Sequence, residues 1–365
     1  MTQELPLNQR SYWASNSERQ NAIHSSLEHL PTYERASFQV AYNERRCVHA
    51  DNDPQRARLN RLVSKGTLVR PYPSVYAIAE VWSHDTRRAQ TYQIVRTLAR
   101  LHPDWAFWGP TAAIVHGLTI SNQYLEALHL ADFAYHRKCA SHIVWHQSTG
   151  PAPQTVDGVR VTDFEQTVFD CMRYLRFPEA LAVADSALRI RQAGPIWLTN
   201  TMAQVGKGHV NVRHALEVAR HADGRAESGG ESIARASIIE LGFVVPDLQV
   251  SVPNPIDGGE KRVDFYWRLS GVPDVIGELD GREKYLPGAS DKPGSQIATN
   301  YSLAQLSDER LRESRISVGA RIMRFSYWQA LDHPYLEKML QAYSIPRDHD
   351  YRPLDFRKAI PEWAR

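Results

Sequence analysis

Arg262-Val263-Asp264-Phe265, followed after one short connection by Val275-Ile276-Gly277-Glu278-Leu279-Asp280-Gly281, decides how this chain is read. Alternate side chains of a strand share a face, so Glu278 and Asp280 point one way while Leu279 points into a core. A hairpin partner carrying Asp264 brings a third carboxylate beside them. Hard oxygen donors of this kind suit Mg²⁺ or Mn²⁺, and such a centre activates water and neutralises the charge that develops on a phosphodiester. The chemistry that follows is cleavage of DNA or RNA, with Asp264, Glu278 and Asp280 as the expected metal ligands. Taken singly these residues read more plainly, as solvated strand ends, and Glu231 with Arg235 has the spacing of an ordinary i,i+4 helix pair.

Order and spacing carry a resemblance. The segment from Gly229 to Leu340 resembles the small nuclease-like domains related to very-short-patch repair endonucleases, within the PD-(D/E)XK superfamily. Glu231 stands in Gly230-Glu231-Ser232-Ile233-Ala234-Arg235, Asp264 on the second element and Glu278-Leu279-Asp280-Gly281 on the third. A charged helix, Asp308-Glu309-Arg310-Leu311-Arg312-Glu313, and a strand-like Arg321-Ile322-Met323-Arg324-Phe325 leading to Trp328 come after them. The resemblance implies a restriction-endonuclease-like α/β domain with a mixed central sheet, and catalytic roles for Glu231, Asp264, Glu278 and Asp280. Where the superfamily has Lys two positions after Glu278, this chain has Asp280; Lys284 is the nearest replacement, expected to orient the attacking water or meet the scissile phosphate. Fold is not activity.

With 365 residues, 42% hydrophobic and 23% charged, the chain is long enough for two or three domains. No stretch approaches the ~20 apolar residues of a membrane span, and Met1-Thr2-Gln3-Glu4-Leu5-Pro6 lacks the charged and apolar regions of a signal peptide, so a cytoplasmic protein without membrane partners is expected. Cys47, Cys139 and Cys171 are odd in number and scattered, which fits reduced thiols and argues against a disulfide framework and a zinc cluster.

The net charge is only +2, so local charge is more informative. Between residues 38 and 70, Arg45, Arg46, Arg56, Arg58, Arg61, Lys65 and Arg70 face only Glu44, Asp51 and Asp53. Ser37-Phe38-Gln39-Val40-Ala41-Tyr42 reads as a short helix, and a turn follows to Asn52. Asp53-Pro54 then supplies a cap and a first-turn proline for a second helix that Gly66 ends. Leu59, Leu62 and Val63 form its core stripe. Thr67-Leu68-Val69-Arg70 and Val75-Tyr76-Ala77-Ile78 make two strands around Pro71-Tyr72-Pro73-Ser74, the size of a wing.

This order resembles the N-terminal winged helix-turn-helix of AbiEi-type antitoxins from abortive-infection systems. Leu62-Val63-Ser64-Lys65-Gly66-Thr67-Leu68-Val69-Arg70 ending in Val75-Tyr76-Ala77 looks like that family's run, and Trp108-Gly109-Pro110-Thr111-Ala112-Ala113-Ile114-Val115-His116-Gly117-Leu118 resembles its following helix. Gln166-Thr167 stands where the family has Arg-Thr. The resemblance implies binding of double-stranded DNA through Arg56, Arg58, Arg61, Lys65 and Arg70.

The expected organisation is a multi-domain α/β chain. It has an arm at 1–36, the winged module at 37–80, a mixed α+β middle domain at 81–222, the nuclease-like domain at 229–345 and a tail at 346–365. Tyr124 to Leu130 and Ser141 to His146 are strand candidates, and the Gly-rich stretch from Ala222 to Gly230 is the expected boundary. The polar run from Tyr285 to Ser302 is a loop that either orders over DNA or inserts without structure. Two functions follow. One is a DNA-binding, Mg²⁺- or Mn²⁺-dependent endonuclease or nickase of phage defence or mobile-element biology. The other is an antitoxin-like regulator whose nuclease-like domain is inactive. Both leave a homodimer and a toxin partner open.

Overall fold

Cap and turn residues fix the elements around the basic segment. The computed structural model describes residues 16–133, 142–253, 258–280, 320–348, 354–358 and 360–364. It begins with α1 (Asn16–Glu28), α2 (Thr32–Asn43), β1 (Val48–His49), α3 (Asp53–Ser64), β2 (Leu68–Tyr72) and β3 (Val75–Ile78). The cap of α3 is Asn52, one residue before the expected Asp53: its backbone is extended, which lets its side chain accept the Gln55 N–H at 2.9 Å. Gly66, at φ +73°, ends the helix; a side chain there would meet open space, so backbone conformation alone calls for glycine. The connection between α2 and α3 is more than a turn, because Val48 and His49 pair with Tyr76 and Val75 and give a three-stranded sheet of order β1-β3-β2. The β2–β3 connection, expected as a wing, is a tight hairpin. β2 takes in Pro71 and Tyr72 through a register shift after Val69, leaving Pro73 and Ser74 as the turn. Leu59, Phe38, Ala41, Val48, Leu68 and Tyr76 close the core, and Ala22 and Ile23 of α1 belong to it as well.

The chain divides into two compact units, Met1–Cys171 with Pro361–Arg365, and Met172–Ile360. The first continues through α4 (Ala79–His84), α5 (Arg87–Leu101), α6 (Gly109–His116), the parallel pair β4 (Leu128–Asp132) and β5 (Ile143–Gln147), the hairpin β6 (Gln154–Val156) and β7 (Val159–Val161), and α7 (Phe164–Tyr174). Thr86 caps α5. Tyr124 and Leu125 form a 3-10 turn, not the expected strand start, since ladder pairing begins only at Leu128 opposite Ile143. His129 Nδ1 lies 2.8 Å from His146 Nε2, Trp108 stacks on His146, and Trp363 of the C-terminal turn stands edge-on to both imidazoles. Burial pushes His129 down to about 3, so this imidazole is neutral in the core. Cys47 and Cys171 are buried free thiols; Cys139 lies outside the described residues.

The second unit holds α8 (Phe177–Arg191), α9 (Pro195–Val205), α10 (Val212–His221), α11 (Gly229–Glu240), β8 (Asp247–Pro253), β9 (Glu260–Trp267), β10 (Asp274–Asp280), β11 (Ala320–Ser326), α12 (Tyr327–Leu331) and α13 (His333–Ala342). Its sheet is mixed, ordered β11-β10-β9-β8, with β10 and β11 parallel and the other pairs antiparallel. Ala234 and Ile238 of α11 and Leu336 and Leu340 of α13 pack with Phe265, Trp267, Val275 and Phe325 in one core. Gly277 lets the strands approach: a Cβ there would lie 2.9 Å from both Phe265 Cβ and the Trp267 ring. The stretch from Ala222 to Gly230, expected as a domain boundary, is fastened to α8, with the Asp223 amide donating to Asp185 at 2.7 Å. The division into the two units falls between Cys171 and Met172, within the stretch expected as the middle domain. The protein is thus a two-unit mixed α/β chain, and no helix among the described residues is long and apolar enough to cross a membrane.

Candidate functional site

Ser228 caps α11 by accepting the Glu231 amide at 3.1 Å, which sets Glu231 in the first turn. Its carboxylate turns back: Oε2 accepts the Glu227 N–H at 2.9 Å and the Gln249 side-chain amide at 3.0 Å. Arg235 is not its partner. That guanidinium donates to both oxygens of Asp185, each at 2.9 Å, in a fully buried pair between α11 and α8.

Asp264 sits at a seam in the sheet. The β8–β9 pairing joins Leu248 to Phe265 and Val250 to Val263 and passes over Gln249 and Asp264. The β9–β10 pairing stops at Phe265 opposite Gly277. In place of a ladder carbonyl, Asp264 Oδ2 accepts the Leu279 N–H at 3.0 Å. Gln249 has φ +54°, a left-handed conformation that costs a non-glycine residue on the order of 1–3 kcal/mol. That conformation accompanies an amide standing 3.0 Å from Glu231 and 3.5 Å from Asp264, a bridge between the two carboxylates.

Glu278 lies 3.5 Å from Lys261 Nζ, and Asp280 lies 3.5 Å from Arg324. Arg262 holds Glu227 at 2.5 Å. Burial pushes the carboxyls of Glu231, Asp264 and Glu278 above their ordinary values; Asp264 raises the other two further, and Lys261 draws Glu278 back. The structure therefore brings Glu231, Asp264 and Glu278 into one electrostatic group and gives Asp280 to an arginine. Lys284, the charged run at 308–313 and the loop at 285–302 lie outside the described residues. Lys261, Gln249 and Glu227 escaped the sequence reading. The only signal for Lys261 was its place three residues before Asp264 on the same strand.

Among the described residues, no three His, Cys, Asp or Glu side chains form a ready metal cage. Mg²⁺ commonly binds through one or two carboxylates, waters and substrate phosphates, and the half-buried Asp264 and Glu278 fit that donor set.

On α3, Arg61 and Lys65 are exposed, as is Arg70 on β2, and none has an acidic partner among the described residues. Arg56 is exposed too, but pairs with Asp53 at 2.7 Å. Arg58 turns inward, 3.5 Å from buried Glu34 and 5.4 Å from the Tyr33 ring centre, so its charge is already engaged.

No family model and no solved structure matches the chain. Two proteins of Mycobacterium tuberculosis do: the uncharacterized protein MT2308 of strain CDC 1551 / Oshkosh and the uncharacterized protein Rv2248 of strain ATCC 25618 / H37Rv. Each is 33% identical over 220 residues, which cover 58% of this chain and 74% of the relative. The chain belongs to the family of these two proteins. That membership fixes kinship and leaves the chemistry to the site.

Proposed function

We propose that this protein is a cytoplasmic, divalent-metal-dependent DNA endonuclease or nickase, built on a PD-(D/E)XK-like centre in the second unit and an AbiEi-like winged module in the first. The observation that carries the reading is Gln249 bridging Glu231 and Asp264, with Glu278, coupled electrostatically to Asp264, held by Lys261. Asp264 and Glu278 would hold Mg²⁺ or Mn²⁺, which when bound supplies water activation and charge neutralisation at a phosphodiester. Gln249 keeps Glu231 and Asp264 together against their repulsion. Lys261 is close enough to the carboxylates to meet the charge on a scissile phosphate, the role expected of Lys284. Arg56, Arg61, Lys65 and Arg70 would neutralise backbone phosphates of duplex DNA. Incubation of the full chain with supercoiled plasmid tests this: nicked or linear product is expected with Mg²⁺ or Mn²⁺ and none with EDTA. Intact plasmid in both metals would refute it.

The Asp280–Arg324 pair favours a second reading, since a carboxylate already matched by a guanidinium is a weaker metal ligand. In it the protein is an antitoxin-like regulator that binds DNA without cutting. Tight binding of one DNA sequence without cleavage would select this reading.

A further inference from the structure

A short stretch without helix or strand, residues 354–358, lies on the first turn of α10 in the second unit, and that turn is built to hold it. Asn211 precedes α10 at the position where a side-chain oxygen ordinarily accepts one of a helix's first amides. It makes no such bond. Its backbone is left-handed, at φ +61°, and its Oδ1 instead accepts the Lys358 N–H at 2.9 Å. A cap is given up and an unfavourable backbone conformation adopted at one residue, and both serve a backbone amide of this stretch.

His214, three residues further along the same face of α10, does the equivalent for a second amide. Its ring is fully buried. Nε2 lies 3.0 Å from the Leu175 carbonyl, which can only accept, so Nε2 carries the proton and Nδ1 is left to accept the Phe356 N–H at 3.4 Å. Burial pushes His214 below its ordinary value, which keeps Nδ1 an acceptor at neutral pH. The two amides belong to alternate residues, so the stretch is held through its backbone. Its side chains are held separately. Leu354 is buried, and the Arg213 guanidinium stands 4.0 Å from the centre of the Phe356 ring. Arg357, its side chain 6% exposed, donates to the Tyr174 carbonyl at 3.1 Å and to Asp355 at 2.6 Å. Backbone bonds that give affinity and side-chain contacts that give selectivity are the parts of a peptide-recognition site.

We propose that Asn211, Arg213 and His214 form a peptide-binding site for a short segment of the pattern Leu-Asp-Phe-Arg-Lys, and that the chain's own residues 354–358 occupy it as a tethered, exchangeable ligand. A tethered occupant acts at a roughly millimolar effective concentration, so a free peptide of the same sequence enters only when the tethered copy is weakened.

The test titrates a fluorescein-labelled peptide of residues 353–359 into the full chain and follows its anisotropy. Phe356→Ala, which weakens the tethered segment, is expected to bind the peptide at least about tenfold more tightly than wild type does. Adding Asn211→Gly to that chain, or placing Phe356→Ala in the peptide instead, removes the binding. Glycine adopts the left-handed backbone without strain, so Asn211→Gly deletes only the acceptor. Amide exchange at residues 354–358 should be slower in wild type than in the free peptide, and Asn211→Gly should remove that protection. Each single variant should melt within a few degrees of wild type. A peptide that binds wild type and Phe356→Ala equally, or binds neither, overturns the proposal, as does unprotected exchange in wild type. A dimeric wild type that Phe356→Ala converts to monomer also overturns it, since the occupant would then be a second copy's segment. So does a Phe356→Ala chain that melts far below wild type, because the stretch would then be a fixed part of the core.

Discussion

Asp264 has a structural task as well as the proposed chemical one, and the two can be separated. Its Oδ2 accepts the Leu279 amide where the ladder stops. Asparagine keeps that acceptor and removes the charge, so Asp264→Asn should melt within a few degrees of wild type yet lose metal-dependent cleavage. Asp264→Ala leaves the amide unmatched and should lose about 1–3 kcal/mol in chemical denaturation as well. Gly277→Ala forces a methyl against Phe265 and Trp267, an overpacking expected to cost about 1–3 kcal/mol by the same measurement. Full stability in that variant would mean that the strands are further apart than described. Asp264 and Glu278 were legible because spacing and alternation are properties of the chain. Gln249 and Lys261 were not, since their approach depends on which strands pair and where the pairing skips.

At the level of elements, local signals did well where local chemistry decides. The bounds of α3 follow from Asn52, Pro54 and Gly66, and those of α5 from Thr86. Local signals failed where tertiary partners decide: the two residues of β1 exist as a strand only through β3, and Arg235 serves Asp185 on α8 rather than Glu231 on its own helix. Breaking a buried pair strands a charge, so Arg235→Ala should lose about 3–5 kcal/mol in urea unfolding. Near-wild-type stability there would show that Asp185 takes up a proton at little cost. If α3 lies on DNA, replacing Arg56, Arg61 and Lys65 together should weaken binding and lower the salt slope by ~0.9 for each lost phosphate contact. An unchanged slope would move recognition off this helix. Arg58→Ala should instead act on stability, through Glu34 and Tyr33.

Across the whole molecule, composition alone does not say what holds the Gly-rich stretch at 222–230. Asp185 holds it. The stability of the protein should also carry the mark of its buried acids. Burial, with Glu179 nearby, pushes Glu240 from 4.5 up to about 7. An acid whose folded value is raised binds more protons in the native state. It therefore favours folding at low pH, and that contribution is lost as pH rises from about 4.5 to about 7. Glu240→Gln should therefore stabilise the protein at pH 8 by up to about 3 kcal/mol and leave it unchanged near pH 4. Equal effects at both pH values would contradict the assignment. The central claim is that the carboxylates around the β9–β10 seam cut phosphodiesters, and the most direct test is the plasmid nicking rate of wild type beside Asp264→Asn in Mg²⁺ and in Mn²⁺. Cleavage by wild type and a loss of at least about a hundredfold in the variant, with its melting temperature intact, is the predicted result. Equal rates, or no cleavage by wild type in either metal, would contradict it.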